Sequence, residues 1–171
     1  MPEGTRGYAQ RVDIRAGIDT VWQALIDPKI LSQWYAPALR IDARERGIYS
    51  VRLDARHTLE AHIDVFVPPR RLRLIYMPFA GVPDEGAVVV EDFLLDRDEN
   101  AAPEAGSAAV TVLRLLGSGI PESSAWNPIY QRMRTGWARA LLRLKILLER
   151  APGSAGAPAG ARGQLKRPAG S

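Results

Sequence analysis

The chain of 171 residues contains no cysteine. That excludes disulfides, thiolate metal ligands and cysteine nucleophiles together, and it fits a reducing, cytoplasmic compartment. Histidine is scarce as well, with only His57 and His62. Zinc sites need three or four converging ligands, and an odd spacing on or near one strand sends these two to opposite faces. No metal site and no cofactor are expected, and both histidines read as surface residues. Long apolar runs are missing. No stretch approaches the roughly 18 residues of a transmembrane helix, so no membrane association is expected. The N-terminal residues lack the apolar segment of a secretory signal. Phosphate-binding motifs are also missing. Gly117-Ser118-Gly119 is followed by no Gly-Lys-Ser/Thr and matches no nucleophile elbow, so it reads as a flexible connection into the last helix.

A real excess of charge is lacking too. The isoelectric point near 9.8 and the net charge of +4 invite a nucleic-acid reading. Residues 151–171, however, hold Arg162, Lys166 and Arg167 and no acid; without them 20 basic residues face 19 acidic ones, a net of +1. The body is nearly neutral, and no nucleic-acid partner is expected.

What is present is patterned apolar sequence. Residues 1–7 read as a flexible end. From 8 to 16, Tyr8, Val12, Ile14 and Ala16 share one face of a strand. Ile18, Val21, Trp22 and Leu25 then mark one stripe of a short helix, closed by Pro28. A second short helix, 29–34, carries Ile30 and Trp34 and is closed by Pro37. Six strands follow near 38–44, 47–54, 58–67, 71–77, 87–96 and 108–116, separated by turn-forming residues and a polar loop at 97–107. In the third of these, Leu59, Ala61, Ile63 and Val65 form the apolar face. Short connections between successive strands point to an antiparallel meander.

The last element is the longest. Between about 127 and 150, Tyr130, Met133, Trp137, Leu141, Leu144 and Leu148 recur at steps of three or four. Arg132, Arg139, Arg143 and Arg150 mark a solvated face, and Leu142 and Ile146 are candidates for exposure and a dimer contact. Residues 151–171 are Pro/Gly/Ala-rich, basic and expected to be disordered. The expected class is therefore α+β: one domain over 8–150, with a curved antiparallel sheet wrapped around a long C-terminal helix and two short helices after the first strand.

Three stretches carry a resemblance to a known family. They are Ile18 to Leu25 running through Asp27-Pro28 to Trp34-Tyr35-Ala36-Pro37; Pro68-Pro69-Arg70-Arg71-Leu72; and Gly136-Trp137 followed by Leu141, Leu144 and Leu148. In this order they resemble the SRPBCC (START-like, helix-grip) superfamily, and within it the group related to the C-terminal domain of the activator of heat-shock protein 90 ATPase. The family often has a Gly-Gly pair where this chain has Arg46-Gly47. The resemblance implies a helix-grip fold and a cavity between sheet and helix. It also implies three kinds of function: binding of a small apolar ligand, chemistry of the polyketide-cyclase type, or a co-chaperone role with a chaperone or other protein partner. Either a monomer or a homodimer is compatible with the sequence.

The candidate cavity residues are Trp34, Tyr35, Tyr49, Leu53, Tyr76, Glu91, Phe93, Arg114, Trp126, Met133 and Trp137. Most are aromatic and lie on inward faces, where core and pocket wall can be the same residues. No catalytic residue is assigned; were there proton transfer, Glu91, Arg114, Tyr49 and Tyr76 are the groups available. If Leu95 lies opposite Val110, then Glu91 meets Arg114, and the two form a cross-strand ion pair facing the cavity. A shifted register or a bulge would instead send the pair to solvent.

Overall fold

The computed structural model describes residues 4–78, 81–83, 86–101 and 109–150. The alternating segment at the N-terminus forms β1, Thr5–Ile14, which begins inside the stretch expected to be a flexible end. Two helices follow, α1 (Ile18–Ile26) and α2 (Pro28–Trp34). Asp27 separates them and caps α2: its carboxylate accepts from the Lys29 N–H at 2.9 Å, and Pro28 takes the first helical position, where no N–H is required. Six strands come next: β2 (Ala38–Ile41), β3 (Ile48–Arg52), β4 (Thr58–Val67), β5 (Arg71–Tyr76), β6 (Val90–Arg97) and β7 (Thr111–Pro121). A short turn of 3₁₀ helix, Ser124–Trp126, leads into α3, Asn127–Leu148.

All seven strands join one antiparallel sheet in the order β1-β7-β6-β5-β4-β3-β2. The meander read from the sequence holds from β2 to β7, and β1 closes the sheet by pairing with β7. Helix α3, about 33 Å long at 1.5 Å per residue, lies across the inner face. It buries Trp137, Ala140, Leu141 and Leu144 against the sheet and short helices. This is the helix-grip architecture.

Two strands depart from the expected pattern. The register of β4 against β5 shifts between Ile63 and Val65. The extra residue turns Val65 toward Arg73 and brings Phe66 opposite Leu72, so Phe66 replaces Val65 on the core face. There its ring meets that of Trp22 at 5.4 Å. In β7, Gly117-Ser118-Gly119 continues the strand and is not a flexible connection. Gly119 has a φ of 77°, and a side-chain carbon there would lie 1.9 Å from the Val88 carbonyl oxygen, so the site admits only glycine without distortion. His57 lies in the β3–β4 turn, where its Nδ1 is 2.7 Å from Asp54, while His62 is half-buried on β4. The expected tail, 151–171, and residues 102–107 of the polar loop lie outside the described residues.

Neighbouring leucines test the phase of α3. Leu144 is fully buried, whereas Leu142 is 55% exposed. Leu144→Ala is expected to cost about 2–5 kcal/mol in urea denaturation, and Leu142→Ala less than about 0.5 kcal/mol. Equal costs would mean that the helix is rotated from this position.

Candidate functional site

Alternation along β6 sends Glu91, Phe93 and Leu95 to the inner face. Glu91 is thus an acid in the core, 2% exposed. Such burial is tolerable only with hydrogen-bond partners, and three are provided. Tyr8 of β1 donates its hydroxyl to Glu91 Oε1 at 2.6 Å. Tyr76 of β5 donates to Oε2 at 2.6 Å. From above the sheet, the Trp137 indole N–H donates to Oε1. Burial pushes the Glu91 carboxyl above its ordinary 4.5, and the three donors pull it part of the way back. Burial, and secondly the adjacent Glu91 charge, raise the phenols of Tyr8, Tyr35, Tyr49 and Tyr76, so all four stay protonated.

The reach of Tyr8 depends on a residue without a side chain. Tyr8 lies opposite Gly117 in the β1–β7 ladder, and Gly117 lies opposite Glu91 in the β7–β6 ladder. The three form a row across the sheet, and the Tyr8 ring passes over the middle strand to reach the acid. A side-chain carbon on Gly117 would come within 2.3 Å of that ring. Glycine inside a strand commonly marks such a close approach.

Next to Glu91 lies a cavity of about 430 Å³ between the sheet and α3. Of the expected residues, Tyr35, Leu53, Tyr76, Glu91, Met133 and Trp137 line it. Tyr35 stacks on Trp137 with ring centroids 4.8 Å apart. Trp126 instead borders a smaller cavity of about 240 Å³, which shares Tyr76, Val82 and Val89 with the first. Trp34, Tyr49 and Phe93 stand behind the wall. The Trp34 indole N–H donates to the Ala24 carbonyl at 3.0 Å, and the Tyr49 hydroxyl donates to the Leu25 carbonyl at 2.9 Å. Phe93 meets Trp137 edge-on at 5.5 Å. These three position the lining without forming it.

Arg114 departs furthest from expectation. Leu95 pairs with Leu113, so Glu91 faces Gly117 and Arg114 faces Leu94. An odd shift relative to the expected register turns every β7 side chain over. Arg114 therefore points outward and pairs with Asp96 at 3.2 Å, and the Glu91–Arg114 ion pair does not form. Among the described residues, the cations at the cavity are Arg56, Arg132 and Arg143. Among the described residues, no group of three His, Asp or Glu side chains could hold a metal ion.

The fold and this cavity can be set beside known proteins. A family model described as activator of Hsp90 ATPase homolog 1-like protein matches residues 15–149. The chain belongs to this family. None of the curated proteins matches it in sequence. Among solved structures, the Aha1 dimer from Colwellia psychrerythraea is similar, with a TM-score of 0.69 and 20% identity over 86% of this chain and 99% of that one. An HSP90 activator from Plasmodium falciparum superposes with a TM-score of 0.64 at 15% identity, over 83% of this chain and 95% of that one. DynU16, from the dynemicin biosynthetic locus, gives 0.64 at 22% identity, over 84% of this chain and 47% of that one. At these identities the likeness is one of fold. The Hsp90-activator-like family therefore accounts for the sheet and long helix, while the Glu91 cluster is described from this chain's own residues.

Sequence reasoning assigned Glu91 to the interior but missed Tyr8 and Gly117 as its supports. The available signal was a glycine within an apolar alternating run, which was read as a loop. Gly117→Ala is expected to lower the melting temperature by several degrees. In a Tyr8→Ala background most of that loss should vanish, because the ring it collides with is gone; additive losses in this double-mutant cycle would contradict the row.

Glu91 also sets a pH dependence. Its folded-state carboxyl keeps its proton to higher pH than in the unfolded chain. The stability this brings is complete below the ordinary carboxyl range and declines as pH rises through the raised value. Glu91→Gln lacks this titration. Its melting temperature relative to the parent protein should therefore climb as pH rises above the ordinary carboxyl range, and a flat difference would count against it.

Proposed function

We propose that this protein binds a small apolar or amphipathic molecule in the cavity between the sheet and α3. The observation that carries this reading is the pairing of a cavity of about 430 Å³ with a buried acid, Glu91, held by three donors. The volume lies in the range of small-molecule sites, and the wall is mainly aromatic and aliphatic with a few oriented polar groups. Aromatic stacking of Tyr35 on Trp137 adds a rigid, flat surface.

Binding is favoured over catalysis because the arrangement contains no activated nucleophile. Glu91 is engaged by three donors, and the adjoining phenols are held in their neutral form. A polyketide-cyclase-like activity is the enzymatic alternative, with Glu91 the group for proton transfer; the likeness to a protein from a dynemicin biosynthetic locus supports naming it. A co-chaperone-like role is the interaction alternative. It is favoured by the family's name and by Leu142 and Ile146, which stand 55% and 54% exposed on the outer side of α3. Stimulated ATP hydrolysis by a heat-shock ATPase would favour it.

Native mass spectrometry of freshly purified protein, followed by thermal-shift screening with apolar and amphipathic compounds, tests the binding reading. A ligand at a hundredfold excess over its dissociation constant stabilises the fold by about 2.7 kcal/mol. Met133→Trp fills the cavity and should abolish the bound mass and the shift while the protein stays folded. Absence of both signals from the parent protein across a broad panel would move the assignment to the interaction role.

A further inference from the structure

The same cavity carries polar groups of two kinds, at different levels of α3. A carboxylate offers about four acceptor positions. On Glu91, Oε1 accepts from Tyr8 and Trp137, whereas Oε2 accepts from Tyr76 alone. One acceptor position thus remains on a residue that lines the cavity. A wholly apolar occupant would strip water from that position and give nothing in return. A hydroxyl serves best, because it donates to the carboxylate and accepts from the protonated acid. An amine or a carbonyl serves in only one of those states.

Among the described residues, the remaining charge on the wall is positive: Arg56, Arg132 and Arg143 border the cavity, and Asp54 is the acid beside them. Asp54 is already committed: it accepts from the Arg56 and His57 backbone N–H groups at 2.7 and 2.9 Å, and its other oxygen lies 2.7 Å from His57 Nδ1. The guanidinium groups of Arg56 and Arg132 have no hydrogen-bond or ion-pair partner among the described residues. Arg143 donates its Nε to the Trp34 carbonyl at 2.9 Å, which holds it at the wall. Along α3, Trp137 marks the level of Glu91. Arg132 lies five residues before it and Arg143 six after, about 7.5 and 9 Å along the axis in opposite directions at 1.5 Å per residue.

Building on the cavity-binding reading, we propose that the ligand is an amphipathic organic acid: a hydroxyl meets Glu91, a rigid apolar body of about two fused rings lies along Tyr35 and Trp137, and a carboxylate or similar anion meets Arg132 and Arg56. The reverse orientation places two carboxylates together and is disfavoured. A cationic ligand would be drawn to Glu91 but opposed by three arginines.

Isothermal titration calorimetry of the full chain tests this with three probes. They are a naphthoic acid bearing a hydroxyl on its distal ring, the methyl ester of that compound, and the naphthoic acid without the hydroxyl. The hydroxy acid is expected to bind roughly tenfold more tightly than either of the others. Its advantage over the ester should shrink with added salt and disappear in the Arg56→Gln/Arg132→Gln double variant, with ester affinity unchanged. Equal affinity of acid and ester overturns the anion assignment and leaves cavity binding standing. Equal affinity of the two acids overturns the role of Glu91. If none of the three binds while uncharged apolar compounds still stabilise the protein, this proposal alone falls. If nothing binds or stabilises, the cavity-binding reading falls with it.

Discussion

One buried carboxyl group constrains the arrangement of the inner face. Glu91 draws a donor from β1, a donor from β5 and a donor from α3, elements far apart in the chain. Each hydrogen bond fixes a distance between layers that apolar packing alone would leave adjustable, since dispersion and burial are not directional. The sheet must bring Tyr8 and Tyr76 to either side of the acid, and α3 must present Trp137 directly above it. Removal of Tyr76 strips Oε2 of its donor and removal of Tyr8 or Trp137 halves the support of Oε1, so each change weakens the satisfaction of a buried acid.

The contrast between Glu91 and Arg114 shows where the sequence was legible and where it was not. The inward direction of Glu91 follows from two-residue alternation with Phe93 and Leu95, which needs no knowledge of the partner strand. The position of Arg114 depends on the register between β6 and β7, set by the connection between them. Turn chemistry across a long polar loop does not encode that register, and an odd shift reverses the whole strand. The same limit explains Val65 and Phe66. A bulge at Asp64 changes the parity of β4 midway, and no local composition marks it.

Architecture was far more legible than the cavity. The long stripe on α3, the proline-separated pair α1 and α2, and the succession of strands each rest on periodicity, which survives small errors of boundary. Aromatic residues were harder to place, because a buried ring reads the same whether it faces ligand or another ring. Tyr49 and Trp34 became struts whose polar tips bind backbone carbonyls. Tyr35 and Trp137 became wall. Glycine carried information that a loop reading discarded: at 117 it marks a place where a neighbour needs the room.

Trp137 has an optical consequence. Two of its surroundings are unlike those of the other tryptophans, an acid at its indole nitrogen and the larger cavity along its edge, and a phenol stacks on its face as one does on Trp34. Negative charge beside the pyrrole end of an indole draws its emission to longer wavelength, and a stacked neighbour alters its quantum yield. Trp22 and Trp34 are buried away from both cavities, and Trp126 borders only the smaller one. The protein therefore carries a chromophore whose colour and brightness are coupled to the ionisation of one side chain and to the contents of one chamber.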